Sequence, residues 1–127
     1  MAMAENLGRR ILVVDDESTV CDSIRRILAS DGHQVTTAFN AEEAMTAFRS
    51  GEFDLVITDY EMPVTKGDKL AAAIKALRPA QPIILITAYA ESLRLKGSFP
   101  LDVDLVLPKP FKLEQMREAV QRLAFSC

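Results

Sequence analysis

Several apolar runs of this sequence end on side chains that carry a carboxylate, a hydroxyl or an amine. These residues are Asp15 and Asp16 after ILVV, Asp59 at the end of DLVITD, Thr87 near the end of PIILITA, and Lys109 after VDLVLP. Three carboxylates brought close together repel one another, and their pKa values rise unless a positive charge lies between them. A divalent cation supplies that charge, and Mg²⁺ suits a small oxygen site with one or two carboxylates and several waters.

A pocket with two or three acids, one hydroxyl and one ammonium fits the chemistry of phosphoryl transfer. In that chemistry Asp59 would attack phosphorus as the nucleophile. The metal ion and Lys109 would neutralise charge on the phosphoryl oxygens, and the Thr87 hydroxyl would donate a hydrogen bond to one of them. The hypothesis requires that the ends of several apolar runs meet in space, which depends on the elements that carry them.

Five apolar runs predict β-strands. They cover residues 11–14, 33–39, 54–59, 82–88 and 103–108. Three of them are apolar at every central position, which is typical of strands covered on both faces. The run at 33–39 alternates between apolar and polar residues and is therefore expected at an edge of the sheet. His33 is interpreted as an ordinary residue of that edge strand, without a chemical role.

Helical patterns separate these strands. The predicted helices cover residues 18–31, 41–50, 68–77 and 112–124. Asn40 is a good N-cap for the second helix, and Gly32 can supply the left-handed residue that ends the first. The residues expected to face inward are Val20, Ile24, Ile27 and Leu28 in the first helix, Leu70, Ala73, Ile74 and Leu77 in the third, and Leu113, Met116, Val120 and Leu123 in the fourth. Between 90 and 102, Gly97 and Pro100 interrupt the helical pattern, so one or two turns are expected there.

The alternation of strands and helices over short links predicts an α/β fold with parallel strands joined by crossover helices. In such sheets functional groups collect just beyond the carboxyl ends of the strands. Asp59 is therefore expected at the end of a strand and outside the core, beside Asp15, Asp16 and Thr87.

Composition restricts the class of protein. The chain has 127 residues, 49% of them hydrophobic and 26% charged, which is ordinary for one globular domain. A net charge of −3 gives no reason to expect direct binding of nucleic acid or of a membrane surface. No apolar stretch has the roughly 20 residues that cross a bilayer, and the first residues lack the apolar core of a signal peptide. We therefore expect a cytoplasmic protein in which Cys21 and Cys127 are reduced.

Five sequence motifs together resemble the receiver domain of bacterial two-component response regulators. They are DDE at 15–17, ITDYEMP at 57–63, Gly67, ITA at 86–88 and KPF at 109–111. The resemblance covers residues 10–125, and we expect a receiver domain over 9–126 preceded by an N-terminal extension at 1–8. It implies a flavodoxin-like (βα)5 three-layer sandwich with a parallel five-stranded sheet in the order 2-1-3-4-5. It also implies a signalling switch, phosphorylated on aspartate by a sensor histidine kinase or a histidine phosphotransfer protein.

The resemblance implies a role for each matching residue. Asp59 would be the phosphoacceptor and Thr87 the hydroxyl that changes position on phosphorylation. Asp16 would bind Mg²⁺ directly, with Mn²⁺ as an alternative ion, and Asp15 would reach the ion mainly through water. Asp59 and the main-chain carbonyl of Glu61 would complete the ligands that the protein supplies.

Lys109 would be the phosphate-binding lysine. The resemblance also implies that the peptide bond between Lys109 and Pro110 is cis, a form found in only about 5–6% of X–Pro bonds. The chain would catalyse only its own phosphorylation and dephosphorylation, and would signal by altered binding of a downstream output domain or effector protein. Because the sequence ends just after its last predicted helix, we expect no DNA-binding or catalytic output module within it.

The chain departs from the family pattern at three places. The aromatic residue that usually lies three positions before the lysine is replaced by Val106, and Tyr89 is a candidate for a related part in the switch. The stretch GSFPLD at 97–102 replaces the usual Gly-Ala pair, which fits either a moving surface or merely a divergent loop. Glu61 is expected to place its carboxylate over the pocket and to pair with Lys109.

Other interpretations fit parts of the pattern. A small Mg²⁺-dependent phosphatase of the haloacid dehalogenase type also uses Asp, Thr or Ser and Lys at strand ends. That class has a second acid two residues after the nucleophile, where Glu61 is the wrong length, and 127 residues leave no room for a cap domain. A flavodoxin would bind FMN, but the acidic loop DDES after the first strand would repel the FMN phosphate. The site residues also have simpler structural roles: Asp15 and Asp16 as helix caps, Asp59 as a turn former, Thr87 as a strand former and Lys109 as a solvated charge.

Overall fold

The computed structural model describes residues 8–89 and 103–124 of the protein. Along the chain the elements are β1 (Arg10–Val14), α1 (Ser18–Ser30), β2 (Gln34–Ala38), α2 (Ala41–Arg49), β3 (Leu55–Asp59), α3 (Gly67–Leu77), β4 (Ile83–Thr87), β5 (Leu105–Pro108) and α4 (Leu113–Ala124). The strands and helices that the sequence predicts in this part are all present, with ends that differ by at most two residues. No helix of the described ranges combines the length and apolarity needed to cross a bilayer. The stretch 90–102, for which the sequence predicts one or two helical turns, lies outside the described residues.

The strands form one parallel sheet in the order β2-β1-β3-β4-β5, which confirms the order implied by the resemblance. β2 is an edge strand, as its alternating sequence predicts, and its exposure also alternates along its length. The three central strands are buried at nearly every residue. Because all five strands run in the same direction, their carboxyl ends lie along one edge of the sheet.

Helices cover both faces of the sheet and divide the core into two clusters. α1 and α4 pack on one face, and α2 and α3 pack on the other. Their buried side chains include Ile24, Leu28, Met116 and Val120 on the first face and Ala44, Phe48, Leu70 and Ile74 on the second. Successive strand residues point to opposite faces, so Val13 joins the first cluster and Val14 the second. The result is the predicted three-layer sandwich.

The prediction of which residues of α3 and α4 face inward is wrong for three residues. Leu77, the last residue of α3, is 56% exposed, and Leu113, the first residue of α4, is 47% exposed. A terminal residue has a neighbouring turn on one side only, so it packs less completely than a residue in the middle of a helix. Ala73 is exposed because the buried arc of α3 runs through Ala71 and Ile74.

Local sequence signals set the ends of two helices as predicted. Asn40 Oδ1 accepts a hydrogen bond from the Glu43 N–H at 2.8 Å, and Glu43 Oε1 accepts one from the Phe39 N–H at 2.8 Å. These two reciprocal hydrogen bonds begin α2 and resemble a capping box, although the second donor is the residue before the N-cap. Gly32 follows α1 with φ +94°, a left-handed conformation that glycine adopts without strain.

His33 differs from its predicted place. It precedes β2 instead of lying within it, is 8% exposed, and accepts a hydrogen bond at Nδ1 from the Arg9 N–H at 3.0 Å. Burial lowers the His33 pKa, and the opposing effects of the Asp31 and Asp54 charges offset this only in part. The histidine is therefore a buried structural residue at the amino-terminal ends of the strands, at the opposite edge of the sheet from the acids.

Candidate functional site

The carboxyl ends of the strands bring the predicted site residues together. Asp59 and Thr87 are the last residues of β3 and β4, Asp15 and Asp16 follow β1, and Lys109 follows β5. Carboxylate oxygens of the three acids all lie within 4.8 Å of one another. The Lys109 ammonium lies 2.9 Å from Asp59 Oδ1. The edge of the sheet therefore carries a compact acidic cluster with an ammonium ion against it.

The cluster is more deeply buried than the sequence predicts. Asp59, expected outside the core, is 2% exposed, and Asp15 is 1% exposed, whereas Asp16 is open to solvent. The loop after β3 folds back over the strand end, where the Gly67 N–H donates a hydrogen bond to the Tyr60 carbonyl at 3.0 Å. The Asp59 carboxyl therefore lies in a covered pocket, in which charges interact more strongly than in water.

Gly67 permits the close return of this loop. A Cβ atom at position 67 would clash with the main-chain carbonyl of Asp59 and would lie 3.0 Å from Leu85 Cδ1. A larger residue would therefore have to displace the strand end that carries Asp59. The glycine of the sequence motif thus has a packing reason that its spacing alone does not reveal.

Burial and the Lys109 ammonium act on the Asp59 carboxyl in opposite directions. Burial raises the Asp59 pKa, the contact with Lys109 lowers it, and the charges of Glu61 and Asp16 raise it again, with a net upward change. For Lys109, burial lowers the pKa, but the contact with Asp59 and the charges of Asp15 and Glu61 outweigh it and raise the pKa. The ammonium therefore stays protonated and favours the charged form of Asp59, which is the form a nucleophile requires.

Asp15 is a buried acid with one unsatisfied oxygen. Burial raises its pKa to about 6, although the Glu17 N–H opposes this through a 2.9 Å hydrogen bond to Asp15 Oδ1. That bond supports the start of α1, in line with a capping role, but it uses only one of the two oxygens. Asp15 Oδ2 is buried without a hydrogen-bond partner among the described residues. A buried carboxylate oxygen in this condition is unfavourable unless a donor or a cation reaches it.

The acidic cluster fits a divalent cation. Each acid offers one carboxylate oxygen within 4.8 Å of the others, and Asp15 Oδ2 lacks a hydrogen-bond partner among the described residues. Mg²⁺ prefers oxygen ligands and keeps several waters, for which the exposed Asp16 leaves room. Asp15, Asp16 and Asp59 are therefore the described side chains able to hold such an ion.

The Thr87 hydroxyl takes part in two hydrogen bonds. It donates to Glu61 Oε2 at 2.5 Å and accepts from the Tyr89 N–H at 2.9 Å. The predicted pair between Glu61 and Lys109 is therefore wrong, because the Thr87 hydroxyl engages the Glu61 carboxylate and the Lys109 ammonium contacts Asp59. The spacing of Glu61 from the end of β3 indicated that it would reach the pocket, but not which group it would bind.

The other predicted positions lie around the ends of β4 and β5. The Lys109–Pro110 peptide bond is cis. Val106 is a partly buried residue of β5 that pairs with Leu85, and the side chain of Tyr89 is 55% exposed. A part for Val106 or Tyr89 in a switch stays a hypothesis.

Two further features were not predicted from the sequence. Cys21 in α1 donates its S–H to the Asp15 carbonyl at 3.3 Å, and burial raises the Cys21 pKa to about 11, which disfavours the reactive thiolate form. Val64, in the loop after β3, is fully exposed and has φ +69°. Helical periodicity indicates a buried face for Cys21, whereas no residue-type signal indicates a left-handed valine, because β-branched residues rarely adopt that conformation.

An apolar cleft of about 610 Å³ borders the site on the side of Lys109. Its lining residues include Val20, Ile24, Phe111 and Leu113. A molecule or protein segment in this cleft would therefore lie beside the ammonium that contacts Asp59.

Residues 11–121 match a family model described as the response regulator receiver domain. Among curated proteins, the chain is 30% identical over 114 residues to the regulatory protein VanRB of Enterococcus faecalis and 32% identical over 114 residues to the response regulator MprA of Mycolicibacterium vanbaalenii. Each match covers 90% of this chain, but only 51% of VanRB and 49% of MprA. The chain thus spans about half the length of the curated relatives it matches.

Solved structures show the same architecture. The response regulator TrrA from Thermotoga maritima, crystallised in complex with Mg²⁺-BeF, superposes with a TM-score of 0.82 at 38% identity, covering 91% of this chain and 98% of TrrA. The chemotaxis protein CheY4 from Vibrio cholerae superposes with a TM-score of 0.83 at 26% identity, covering 90% and 97% of the two chains. These similarities confirm the flavodoxin-like fold and give no support to the haloacid dehalogenase alternative.

Proposed function

Because this chain belongs to the response regulator receiver domain family, we propose that it is a phosphorylation-controlled switch with Asp59 as the phosphoacceptor. The chain is a receiver domain of the two-component response regulators, which are not classical enzymes. One observation carries the assignment of the phosphoacceptor. Asp59 is a buried carboxylate at the end of β3, inside a cluster of three acids and 2.9 Å from the Lys109 ammonium.

The proposed reaction transfers a phosphoryl group from a phosphohistidine of a sensor histidine kinase or a histidine phosphotransfer protein. A carboxylate oxygen of Asp59 attacks phosphorus, so a P–O bond forms and the P–N bond breaks. The electron pair of the P–N bond stays on the imidazole, which leaves neutral because its other nitrogen carries a proton. Lys109 offsets charge on the phosphoryl oxygens, and the Thr87 hydroxyl donates a hydrogen bond to one of them. The chain would catalyse only this step and the hydrolysis of its own aspartyl phosphate.

We propose that Asp15, Asp16, Asp59 and the main-chain carbonyl of Glu61 hold Mg²⁺. When bound, the ion supplies positive charge that stabilises the phosphoryl oxygens. The unpartnered Oδ2 of Asp15 supports this assignment, as does the Mg²⁺-BeF complex of the related TrrA. Mn²⁺, which also prefers oxygen ligands, is a proposed alternative for the same residues.

The proposed switch begins at Thr87. Its hydroxyl accepts the Tyr89 N–H at 2.9 Å, so a turn of the Thr87 side chain toward the phosphoryl group disturbs the start of the loop after β4. The exposed Tyr89 side chain lies on that loop and is our candidate for the moving aromatic residue, since β5 has Val106 at the usual position. The phosphoryl group shifts this equilibrium only by its different interaction with the two arrangements.

We propose that the switch alters binding of a downstream output domain or effector protein. The receiver domain would extend over residues 9–126, with 1–8 as an N-terminal extension, and would act in the cytoplasm. We propose that the domain binds neither nucleic acid nor a membrane directly. The apolar cleft beside Lys109 offers the phosphodonor protein a surface next to the reacting group.

Intact mass measurement after incubation with acetyl phosphate and Mg²⁺ tests this function. The wild type should gain the mass of one phosphoryl group, and removal of Mg²⁺ with EDTA should prevent the gain. Asp59→Asn, which has no nucleophilic carboxylate at position 59, should gain nothing. Asp22→Asn, which changes an acid of the solvent-exposed face of α1, is the matched control and should be labelled like the wild type. An unlabelled wild type, or a labelled Asp59→Asn variant, would contradict the proposal.

A further inference from the structure

The proton of the Thr87 hydroxyl is already engaged before any phosphoryl group is present. Thr87 Oγ1 donates it to Glu61 Oε2 at 2.5 Å, while the oxygen accepts the Tyr89 N–H at 2.9 Å. A hydroxyl has a single proton and donates one strong hydrogen bond at a time. The acceptor is a carboxylate, so this bond is of the charge-assisted kind, which is stronger than a bond between neutral groups.

We propose that Glu61 is a positioning residue that holds Thr87 in its unphosphorylated arrangement, so that the Glu61 carboxylate competes with the phosphoryl group for one hydroxyl proton. The inference rests on the proposed phosphorylation of Asp59. We call the Glu61–Thr87 hydrogen bond the latch. Phosphorylation must then supply the free energy needed to break the latch before the switch can change its arrangement.

The surroundings of Thr87 restrict the movement to its side chain. Thr87 is fully buried as the last residue of β4, and its carbonyl accepts the Lys109 N–H at 2.9 Å. The main chain at this position is therefore tied to β5. What can change is the direction in which the hydroxyl points, and the latch determines that direction while Glu61 keeps its place.

Glu61 can act on a phosphoryl group in two ways, which make different predictions. Its negative charge lies close enough to influence both Asp59 and Lys109, so it also repels a phosphoryl anion directly. Repulsion of this kind does not need the Thr87 hydroxyl. The latch does need it, so a double-mutant cycle between Glu61 and Thr87 separates the two effects.

The test measures the affinity of the Mg²⁺-loaded protein for beryllofluoride, a tetrahedral stand-in for a phosphoryl group, by ¹⁹F NMR or calorimetric titration. When only a fraction of the protein molecules has the arrangement that binds beryllofluoride, the apparent affinity is reduced by that fraction. Glu61→Ala should therefore bind beryllofluoride about tenfold more tightly than the wild type, the size expected for one hydrogen bond to a charged group. In the Thr87→Val background, which has no hydroxyl, the same Glu61→Ala change should give no more than a small part of this gain.

Three further variants complete the design. Thr87→Ser keeps the hydroxyl, so Glu61→Ala should tighten binding in that background as in the wild type. Glu61→Gln keeps the size of the side chain and a weaker, neutral acceptor, so its affinity should be intermediate. Glu52→Ala removes an exposed acid that precedes β3 at the opposite edge of the sheet, and should leave the affinity unchanged.

Two results would overturn the latch. Either Glu61→Ala leaves the affinity unchanged, or it tightens binding equally with and without the Thr87 hydroxyl, which would assign the whole effect to charge repulsion. A wild type that binds no beryllofluoride, or an Asp59→Asn variant that binds it, would instead overturn the proposed phosphoacceptor.

The contact itself is tested without beryllofluoride. Glu61→Ala should shift the NMR resonance of the Tyr89 amide, whose acceptor is the Thr87 oxygen, and an unshifted resonance would refute the contact.

Discussion

Lys109 Nζ lies 2.9 Å from Oδ1 of Asp59, although Lys109 follows β5 and Asp59 ends β3, and the two strands are separated in the sheet by β4. The main chain of Lys109 is tied to the intervening strand, since its N–H donates to the Thr87 carbonyl at 2.9 Å. The side chain therefore reaches across the end of β4 to the acid. The position of the ion pair thus depends on the register of three strands. The same register places the Thr87 hydroxyl where it bonds to the Glu61 carboxylate and to the Tyr89 N–H.

The substitution Asp15→Asn should stabilise the Mg²⁺-free protein at pH 7.5. The Asp15 pKa rises from 3.8 to about 6 on folding, so the stability that protonated Asp15 provides is present at low pH and is lost as the pH rises through about 6. Asn has no charge to bury and keeps an acceptor for the Glu17 N–H. We expect the free energy of unfolding to rise by about 2–3 kcal/mol at pH 7.5, and by less at pH 5.

Urea denaturation in EDTA measures this gain, and repetition in Mg²⁺ provides the control. Wild type should gain more stability from Mg²⁺ than Asp15→Asn does, because only the wild type keeps both buried carboxylates for the cation. Equal stability of the two proteins at pH 7.5 without Mg²⁺ would show that Asp15 is not an unfavourable buried charge.

Replacement of His33 by Asn should make the protein less sensitive to acid. Folding lowers the His33 pKa below its ordinary value of 6.5, so the unfolded chain binds a proton that the folded chain resists, and stability falls as the pH drops through 6.5. Asn offers an uncharged acceptor to the Arg9 N–H in place of Nδ1. His33 is the only histidine of the sequence, so the difference between the two stability profiles isolates its titration. Urea denaturation between pH 7.5 and 5.5 should show wild type losing stability relative to His33→Asn, and parallel profiles would contradict the prediction.

The substitution Val64→Asn should stabilise the fold. Val64 has φ +69°, and the left-handed region costs a residue with a side chain roughly 1–2 kcal/mol. Asn tolerates this region better, and the fully exposed Val64 side chain loses little packing when replaced. We expect a gain of about 1 kcal/mol in the free energy of unfolding, measured by urea denaturation. Val64→Ala is the control, since alanine keeps most of the left-handed penalty; an equal effect of both substitutions would argue against strain at this position.

Gly67→Ala should destabilise the protein and weaken labelling of Asp59. The added Cβ clashes with the Asp59 carbonyl, which must move, and such overpacking costs about 1–3 kcal/mol. Gly51→Ala is the matched control, because a Cβ at position 51 meets its nearest neighbours at 3.5 Å, an ordinary contact. Thermal denaturation and acetyl phosphate labelling of both variants give the comparison. A Gly67→Ala protein that resembles Gly51→Ala in both measurements would show that the loop after β3 is not packed as closely as described.

Much of the fold is predictable from the sequence because the central strands are buried on both faces. Apolar runs such as the one ending at Asp59 therefore stand out, and short links between strand and helix patterns indicate parallel pairing. Periodicity is less informative at the ends of helices. Leu77 and Leu113 belong to apolar stripes, yet they are exposed because each stands at the end of its helix. A repeat pattern identifies a face, but not how far the neighbouring layer extends along it.

Which residues belong to the site follows from the strand order of the sheet, whereas the contacts between them depend on side-chain conformation. Parallel strands share one edge, so Asp15 and Asp59 had to meet near Lys109 once the strand order was known. Which group the Glu61 carboxylate binds is decided by side-chain conformations over a few ångströms. Spacing along the chain therefore indicated that Glu61 reaches the pocket, but the sequence interpretation chose Lys109 where the structure has Thr87.

The most direct test of the account identifies the residue that carries the phosphoryl group. Borohydride reduces an aspartyl phosphate to homoserine, which survives proteolysis and is located by peptide mass spectrometry. After labelling with acetyl phosphate and Mg²⁺, reduction should produce homoserine at position 59, and the unlabelled protein should give none. Homoserine at position 15 or 16 in place of 59, or no homoserine in a protein that has gained a phosphoryl group, would contradict the central claim.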